Sequence, residues 1–105
     1  MKLFGYCPTQ GAAAGDTMPF FHDGKWHLFF SQPPIDAWEY VERARVSTAY
    51  LTSDDLVNWE VMPDAFGPGE QGDCDGDGIW TGSVIEFQGV YHFFYTGYNR
   101  QSSSP

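Results

Sequence analysis

The sequence predicts an all-β chain made of antiparallel four-stranded β-propeller blades, of which its 105 residues hold about one and a half. Three observations carry that expectation. Apolar and polar residues alternate with a period of two along most of the chain, and no stretch has the apolar stripe of an amphipathic helix. Asp23-Gly24 and Gln88-Gly89 each separate two aromatic-rich runs, which is the arrangement of a β-hairpin. The second such region also repeats the first. Phe21-His22-Asp23-Gly24-Lys25-Trp26-His27-Leu28-Phe29-Phe30 lies over Glu86-Phe87-Gln88-Gly89-Val90-Tyr91-His92-Phe93-Phe94-Tyr95 at an offset of 65 residues, with glycine on glycine and His27 on His92.

Each element follows in order. Residues 18–22 and 25–31 form the first hairpin, because a type I′ turn needs positive φ at both central positions and Asp-Gly supplies it. Residues 45–52 read as a third strand, 53–57 as a tight turn or a single helical turn, and 58–62 as a fourth strand. Residues 63–78, rich in Gly, Asp and Pro, read as a loop. Residues 80–87 and 90–97 form the second hairpin, and 101–105 a loop or cut end. Blade one is thus expected over about residues 16–62 and the start of blade two over about 79–97. Propeller sheets are sandwiched between neighbours, so both faces of a strand are apolar, as in Trp26-His27-Leu28-Phe29-Phe30. Trp26, Phe29, Phe30, Trp59, Phe93 and Phe94 are assigned to the core. Closing a propeller takes at least about four blades, so the chain is expected to be an N-terminal fragment. Phe20, Trp26, Phe29, Tyr91 and Phe93 would then be left partly in water, and the chain would rely on the remainder of the propeller or self-associate. The alternative is a small two-sheet sandwich complete in itself.

Composition excludes some partners. A net charge of −9 repels nucleic-acid phosphates and an anionic membrane surface alike. Aromatic residues make up 18% of the chain; with the carboxylates they suit a neutral polyol, since ring faces cover sugar C–H surfaces and carboxylates accept hydroxyl hydrogen bonds. An oligosaccharide or glycoside is the expected partner, without a cofactor. Cys7 and Cys74 are too few for a disulfide framework. Met1-Lys2-Leu3-Phe4 leads straight to Gly5 and Pro8 with no apolar signal segment, so a cytoplasmic location is the expectation.

Among the chemistry-bearing residues Asp16 leads. A small-residue loop, Gly11-Ala12-Ala13-Ala14-Gly15, delivers its carboxylate to the head of the first strand, and inner propeller strands line the central channel. The plainer reading is a turn-forming or strand-capping Asp. Asp73-Cys74-Asp75-Gly76-Asp77-Gly78 copies the first half of an EF-hand loop, but the twelfth position is Val84 where calcium needs a bidentate Glu. A solvated acidic loop is therefore preferred, and no metal site is assigned. His22, His27 and His92 show no ligand spacing, and the repeat relation of His27 to His92 favours a structural role.

The stretch from Gly15 to Phe30 resembles the opening motif of glycoside hydrolase family 32, in which an Asn-Asp-Pro-Asn-Gly box precedes a hairpin ending in His-Leu-Phe-Tyr. Ser53-Asp54-Asp55-Leu56-Val57-Asn58-Trp59 resembles that family's Ser-x-Asp-Leu-x-x-Trp segment. Asp77-Gly78-Ile79-Trp80-Thr81-Gly82-Ser83 resembles its Phe-Ser-Gly-Ser box, and Tyr91 to Gly97 the strand after it. The ordered set points to the five-bladed propeller clan of families 32, 43 and 68. The resemblance implies a retaining, β-fructosidase-like hydrolase with Asp16 as nucleophile. It implies a later Arg-Asp-Pro aspartate and a later Glu-Cys glutamate, neither of which occurs in these residues. Trp80, Thr81, Ser83 and Asp77 become candidate substrate contacts; otherwise Trp80 is a core aromatic joining the blades. Thr17-Met18-Pro19 stands where the family has Pro-Asn-Gly, Ser31 where it has Gln, and Thr48-Ala49-Tyr50 near its Trp-Gly-His. Those departures keep open an arabinoside- or xyloside-cleaving, inverting activity like that of family 43, and a propeller that binds sugar without cleaving it.

Overall fold

The computed structural model describes residues 14–32 and 47–100, apart from the side chain of Thr81. Cys7, residues 11–13 of the small-residue loop, residues 45–46 of the expected third strand and the tail 101–105 lie outside the described residues. The strands are β1 (Gly15–His22), β2 (Lys25–Ser31), β3 (Thr48–Ser53), β4 (Glu60–Phe66), β5 (Gly78–Phe87) and β6 (Val90–Tyr98). All pairs are antiparallel. The first four form one sheet in the order β1-β2-β3-β4, and β5-β6 form a two-stranded sheet. This is one blade and the first hairpin of another. Both hairpin turns have positive φ at both central residues, Asp23 (54°) and Gly24 (76°), then Gln88 (52°) and Gly89 (80°). That is the type I′ geometry expected of them.

Several strand boundaries differ from expectation, β1 starting at Gly15 and β5 at Gly78, and of the two readings of the segment after β3 the tight turn is the one found. β4 runs on to Phe66, past the expected end at residue 62, by bulging around Pro63-Asp64-Ala65 opposite Ala49. A proline cannot donate to a ladder, but β4 is an edge strand of this sheet and the bulge accommodates it. Residues 53–58 form a turn, not a helical one, tied by two side chains. The Ser53 hydroxyl accepts from the amides of Asp55 (3.2 Å) and Leu56 (2.8 Å). The Asp55 carboxylate accepts from the amides of Val57 (2.9 Å) and Asn58 (2.8 Å) and from the Asn58 side chain (2.8 Å). These bonds hold the Asp55 carboxyl well below the usual carboxylate range, the Asn58 amide bond contributing most.

Both faces of the four-stranded sheet are apolar. On one, Phe30, Ala49 and Leu51 are buried together, with Leu28 and Trp59 packed against them. On the other, Phe29 stacks on its cross-strand partner Tyr50 at 4.6 Å and meets Phe93 of β6 edge-on at 4.7 Å. Phe66 joins there, 5.2 Å from Phe93 and 5.0 Å from Tyr95. The expected partial exposure of Phe29 is overturned: it is 2% exposed, because the β5-β6 hairpin covers it. Phe94 is corrected in the opposite direction, from core to 60% exposed. It points away from blade one, on the same side as Ile85, Phe87 and Val90, all of them exposed. Successive strand residues point to opposite faces, and β6 turns Tyr91 and Phe93 inward, so Phe94 must face out.

Candidate active site

Asp16 sits on a β-bulge. Gly15 pairs with Ser31 and Met18 with Phe29, so Asp16 and Thr17 together oppose the single residue Phe30. Asp16 takes φ +48°, a left-handed conformation that Asp tolerates better than most residues because its short polar side chain bonds locally. A left-handed residue opening a bulge re-aims the side chain out of strand alternation. Its carboxylate is exposed, while Phe30 across the ladder is 1% exposed.

The second hairpin carries a matching irregularity. Ile79 pairs with Gly97 and Gly82 with Tyr95, so Trp80 and Thr81 oppose Thr96 alone. Gly82 closes this bulge where no side chain fits: a Cβ there would lie 2.0 Å from the Phe94 carbonyl oxygen and 2.7 Å from Tyr95 Cα. The two bulges stand at one end of the molecule. Near the turns, His22 Nδ1 lies 4.0 Å from Glu86 Oε2 and the Phe20 ring 5.3 Å from the Tyr91 ring. Further along, Phe29 meets Phe93, and Phe66 meets Tyr95. The hairpins therefore lie side by side with their turns together. The starts of β1 and β5, bearing Asp16 and Trp80, share the opposite end.

Trp80 is 47% exposed and stacks on Tyr98 at 4.8 Å and 15°. It thus presents an open aromatic face and stacks within its own hairpin. Thr81 shares its bulge. Ser83 is exposed on the hairpin face turned away from blade one, one residue past Gly82. Asp77 rims the same end just before β5, its carboxylate accepting from the Arg100 amide at 2.9 Å.

The loop before β5 is more ordered than a solvated acidic loop. Asp75 is only 8% exposed, and its two oxygens accept from the Gly69 amide (3.1 Å) and the Tyr95 hydroxyl (2.7 Å). Asp73 accepts from the Glu70 amide at 2.9 Å, and its carbonyl receives the buried Asn99 side chain. The half EF-hand pattern thus resolves into carboxylates turned toward loop and strand donors. Among the described residues no group of three or more His, Cys, Asp or Glu is placed to hold a metal ion. The Asp75 carboxylate beside Tyr95 pushes that phenol's pKa up, and burial adds to the effect. Sequence reasoning missed this use of Asp75. The available signal was the alternation of Gly with Asp, since glycines spaced through an acidic loop mark close packing.

His27 is structural, as expected of it. A carbonyl can only accept, so the contact of Nε2 with the His22 carbonyl (3.3 Å) places the ring proton on Nε2, with the Tyr91 oxygen alongside at 3.2 Å. Nδ1 then accepts from the Tyr50 hydroxyl at 2.6 Å. Burial raises the pKa of both phenols. His92, its repeat partner, is exposed on the outer face of β6.

The family model described as the glycosyl hydrolases family 32 N-terminal domain matches residues 8–105. The chain is 27% identical over 96 residues to a raffinose invertase of Escherichia coli, covering 91% of this chain and 19% of that protein. Its fold is similar to that of fructan 1-exohydrolase IIa from Cichorium intybus, with a TM-score of 0.68 at 24% identity, covering 91% of this chain and 17% of that one. It is also similar to Zg3597, a family 117 glycoside hydrolase of Zobellia galactanivorans, with a TM-score of 0.73 at 19% identity, covering 94% and 34%. The chain spans between 13% and 19% of the length of the curated relatives it matches.

Proposed function

Because the chain belongs to glycosyl hydrolase family 32, we propose that the protein containing it hydrolyses β-fructofuranosides by a retaining, two-carboxylate mechanism, with Asp16 as nucleophile. The observation that carries this reading is the Asp16 bulge: a left-handed residue directs an exposed carboxylate out of an otherwise regular strand, at the same end as a second bulge that bears Trp80. Non-glycine residues held at positive φ cluster at working sites, where the surrounding structure stabilises them.

In this mechanism the Asp16 carboxylate attacks the anomeric carbon as an acid protonates the leaving oxygen, and a glycosyl ester forms. Water activated by the same acid, now a base, then frees the sugar and restores Asp16. The acid comes from residues outside this chain. Trp80 offers its ring face to sugar C–H surface, while Thr81, Ser83 and Asp77 supply hydroxyl and carboxylate partners for sugar hydroxyls. The first blade comprises β1–β4, and the outward face bearing Ile85, Phe87, Val90 and Phe94 receives the remainder of the propeller. The raffinose invertase supports a fructoside substrate through its name.

The test is hydrolysis by the full-length protein of sucrose and raffinose against aryl arabinosides and xylosides, with proton NMR following the first-formed anomer. Fructose released initially as the β-anomer is expected. Arabinoside cleavage with inversion would move the assignment to a family 43-like activity. Sugar binding without release of any product would leave a binding propeller.

A further inference from the structure

We infer that Asp75 is a positioning residue for the substrate-binding rim, acting through Tyr95 to hold the bulge that carries Trp80. The inference rests on the function proposed above for that rim.

Asp75 lies between two glycines. A Cβ on Gly69 would fall against its Oδ1 and a Cβ on Gly97 would lie 2.9 Å from its own Cβ, so no larger residue fits on either side. Its side chain is therefore wedged as well as hydrogen-bonded. Tyr95, which donates to it, is the ladder partner of Gly82, the residue that ends the Trp80-Thr81 bulge. The Tyr95 ring also packs on Phe66 at the end of β4. Tyr95 thus reaches the first blade and the loop through its side chain, and the end of the bulge through its backbone pairing with Gly82. The Asp75 carbonyl in turn accepts from the Gly78 amide at 3.1 Å, where β5 begins, and the Asp77 amide donates to the Tyr98 carbonyl at 2.9 Å. Tyr98 is the ring on which Trp80 stacks. A phenol donating to a buried carboxylate, as Tyr95 does to Asp75, is among the stronger neutral-to-ion hydrogen bonds and has narrow geometry. Loss of it frees the loop and the bulge together, whereas Asp16 is held by the separate β1-β2 ladder.

The test uses the full-length protein with Asp75→Asn, Tyr95→Phe and the double variant. It measures kcat and KM on sucrose, and hydrogen exchange of the peptide spanning residues 69–82 against that spanning 25–31. Each single variant is expected to raise KM about tenfold while kcat stays within about threefold, since rim contacts act on bound substrate and not on the reacting atoms. The double variant should be no worse than the worse single one, because Asp75→Asn weakens, by removing the charge, the same bond that Tyr95→Phe deletes. Exchange should speed up over 69–82 alone. An unchanged KM in variants that fold, or a lowered kcat at constant KM, would overturn the inference. If Asp75→Asn fails to fold, Tyr95→Phe decides alone. A wild-type protein inactive on fructosides would sink the proposed function instead. The exchange pattern would then judge Asp75: faster exchange confined to 69–82 supports its hold on the bulge, and equal exchange in both peptides overturns it.

Discussion

Gly82→Ala should be the most damaging single-methyl change in the second hairpin. The added Cβ would stand 2.0 Å from the Phe94 carbonyl oxygen, 2.7 Å from Tyr95 Cα and 2.9 Å from the Phe94 carbonyl carbon. Carbon contacts are comfortable near 3.5 Å or more, so β6 must retreat by about 1 Å or the bulge must open. All three obstructing atoms are backbone, so no side chain can swing away. Disturbing the ladder at Gly82–Tyr95 and Ser83–Phe94 costs about 1 kcal/mol per hydrogen bond, and overpacking adds about 1–3 kcal/mol. The sum is about 3 kcal/mol or more. Because a five-bladed propeller exceeds the roughly 150–250 residues for which that would lower Tm by about 6–12 °C, the fall expected here is smaller, about 4–6 °C. Gly89→Ala is the control. Nothing lies within 4 Å of its Cβ, and only its φ of +80° opposes the change, at about 1–2 kcal/mol. Thermal unfolding of the full-length protein and both variants gives the comparison. A Gly82→Ala loss no larger than that of Gly89→Ala would refute the close approach of β6 to the bulge, and with it the geometry assigned to Trp80.

Two further outcomes follow from the same structure. The 105-residue chain alone should self-associate through Ile85, Phe87, Val90 and Phe94, and sedimentation should show Phe87→Glu and Phe94→Glu shifting it toward monomer; a monomeric wild-type chain would contradict the open blade face. Asp55 should stay ionised in folded protein at acidities where an unfolded Asp, with a pKa of about 3.9, takes up its proton. Its folded pKa is lowered, so its contribution to the 53–58 turn is complete above the unfolded value and lost as pH falls through the folded one. Carboxyl carbon NMR titration checks this, and a midpoint at the unfolded value would contradict the turn's hydrogen bonding.

The hairpins were legible because Asp-Gly and Gln-Gly dictate a turn from two residues alone, and the repeat of aromatic pairs around them exposed the blade. Bulges were not legible. One extra residue at 16–17 or 80–81 leaves the apolar pattern nearly unchanged, yet it redirects the side chains on which the proposed chemistry depends. Position 82 did carry a glycine, but only the approach of β6 explains it. β4 was cut short at residue 62 because Pro63 normally ends a strand, and only its place at the sheet edge lets it continue. The assignment of Phe94 to the core followed from its match to Phe29. The two are equivalent in the repeat, but Phe29 faces a blade that is present here and Phe94 faces outward. Asp75 was read as part of a solvated loop because its donor, Tyr95, lies 20 residues on, and that pairing exists only in three dimensions.

Asp16→Asn in the full-length protein tests the central claim most directly. Asn has nearly the same shape and shares the tolerance of Asp for a left-handed backbone, so the bulge at φ +48° should persist and the Tm should scarcely move. The lost carboxylate can no longer form the glycosyl ester, and turnover of sucrose should fall by about a thousandfold or more. Turnover within about tenfold of wild type, at unchanged Tm, would contradict the account and return Asp16 to the role of a bulge-forming residue.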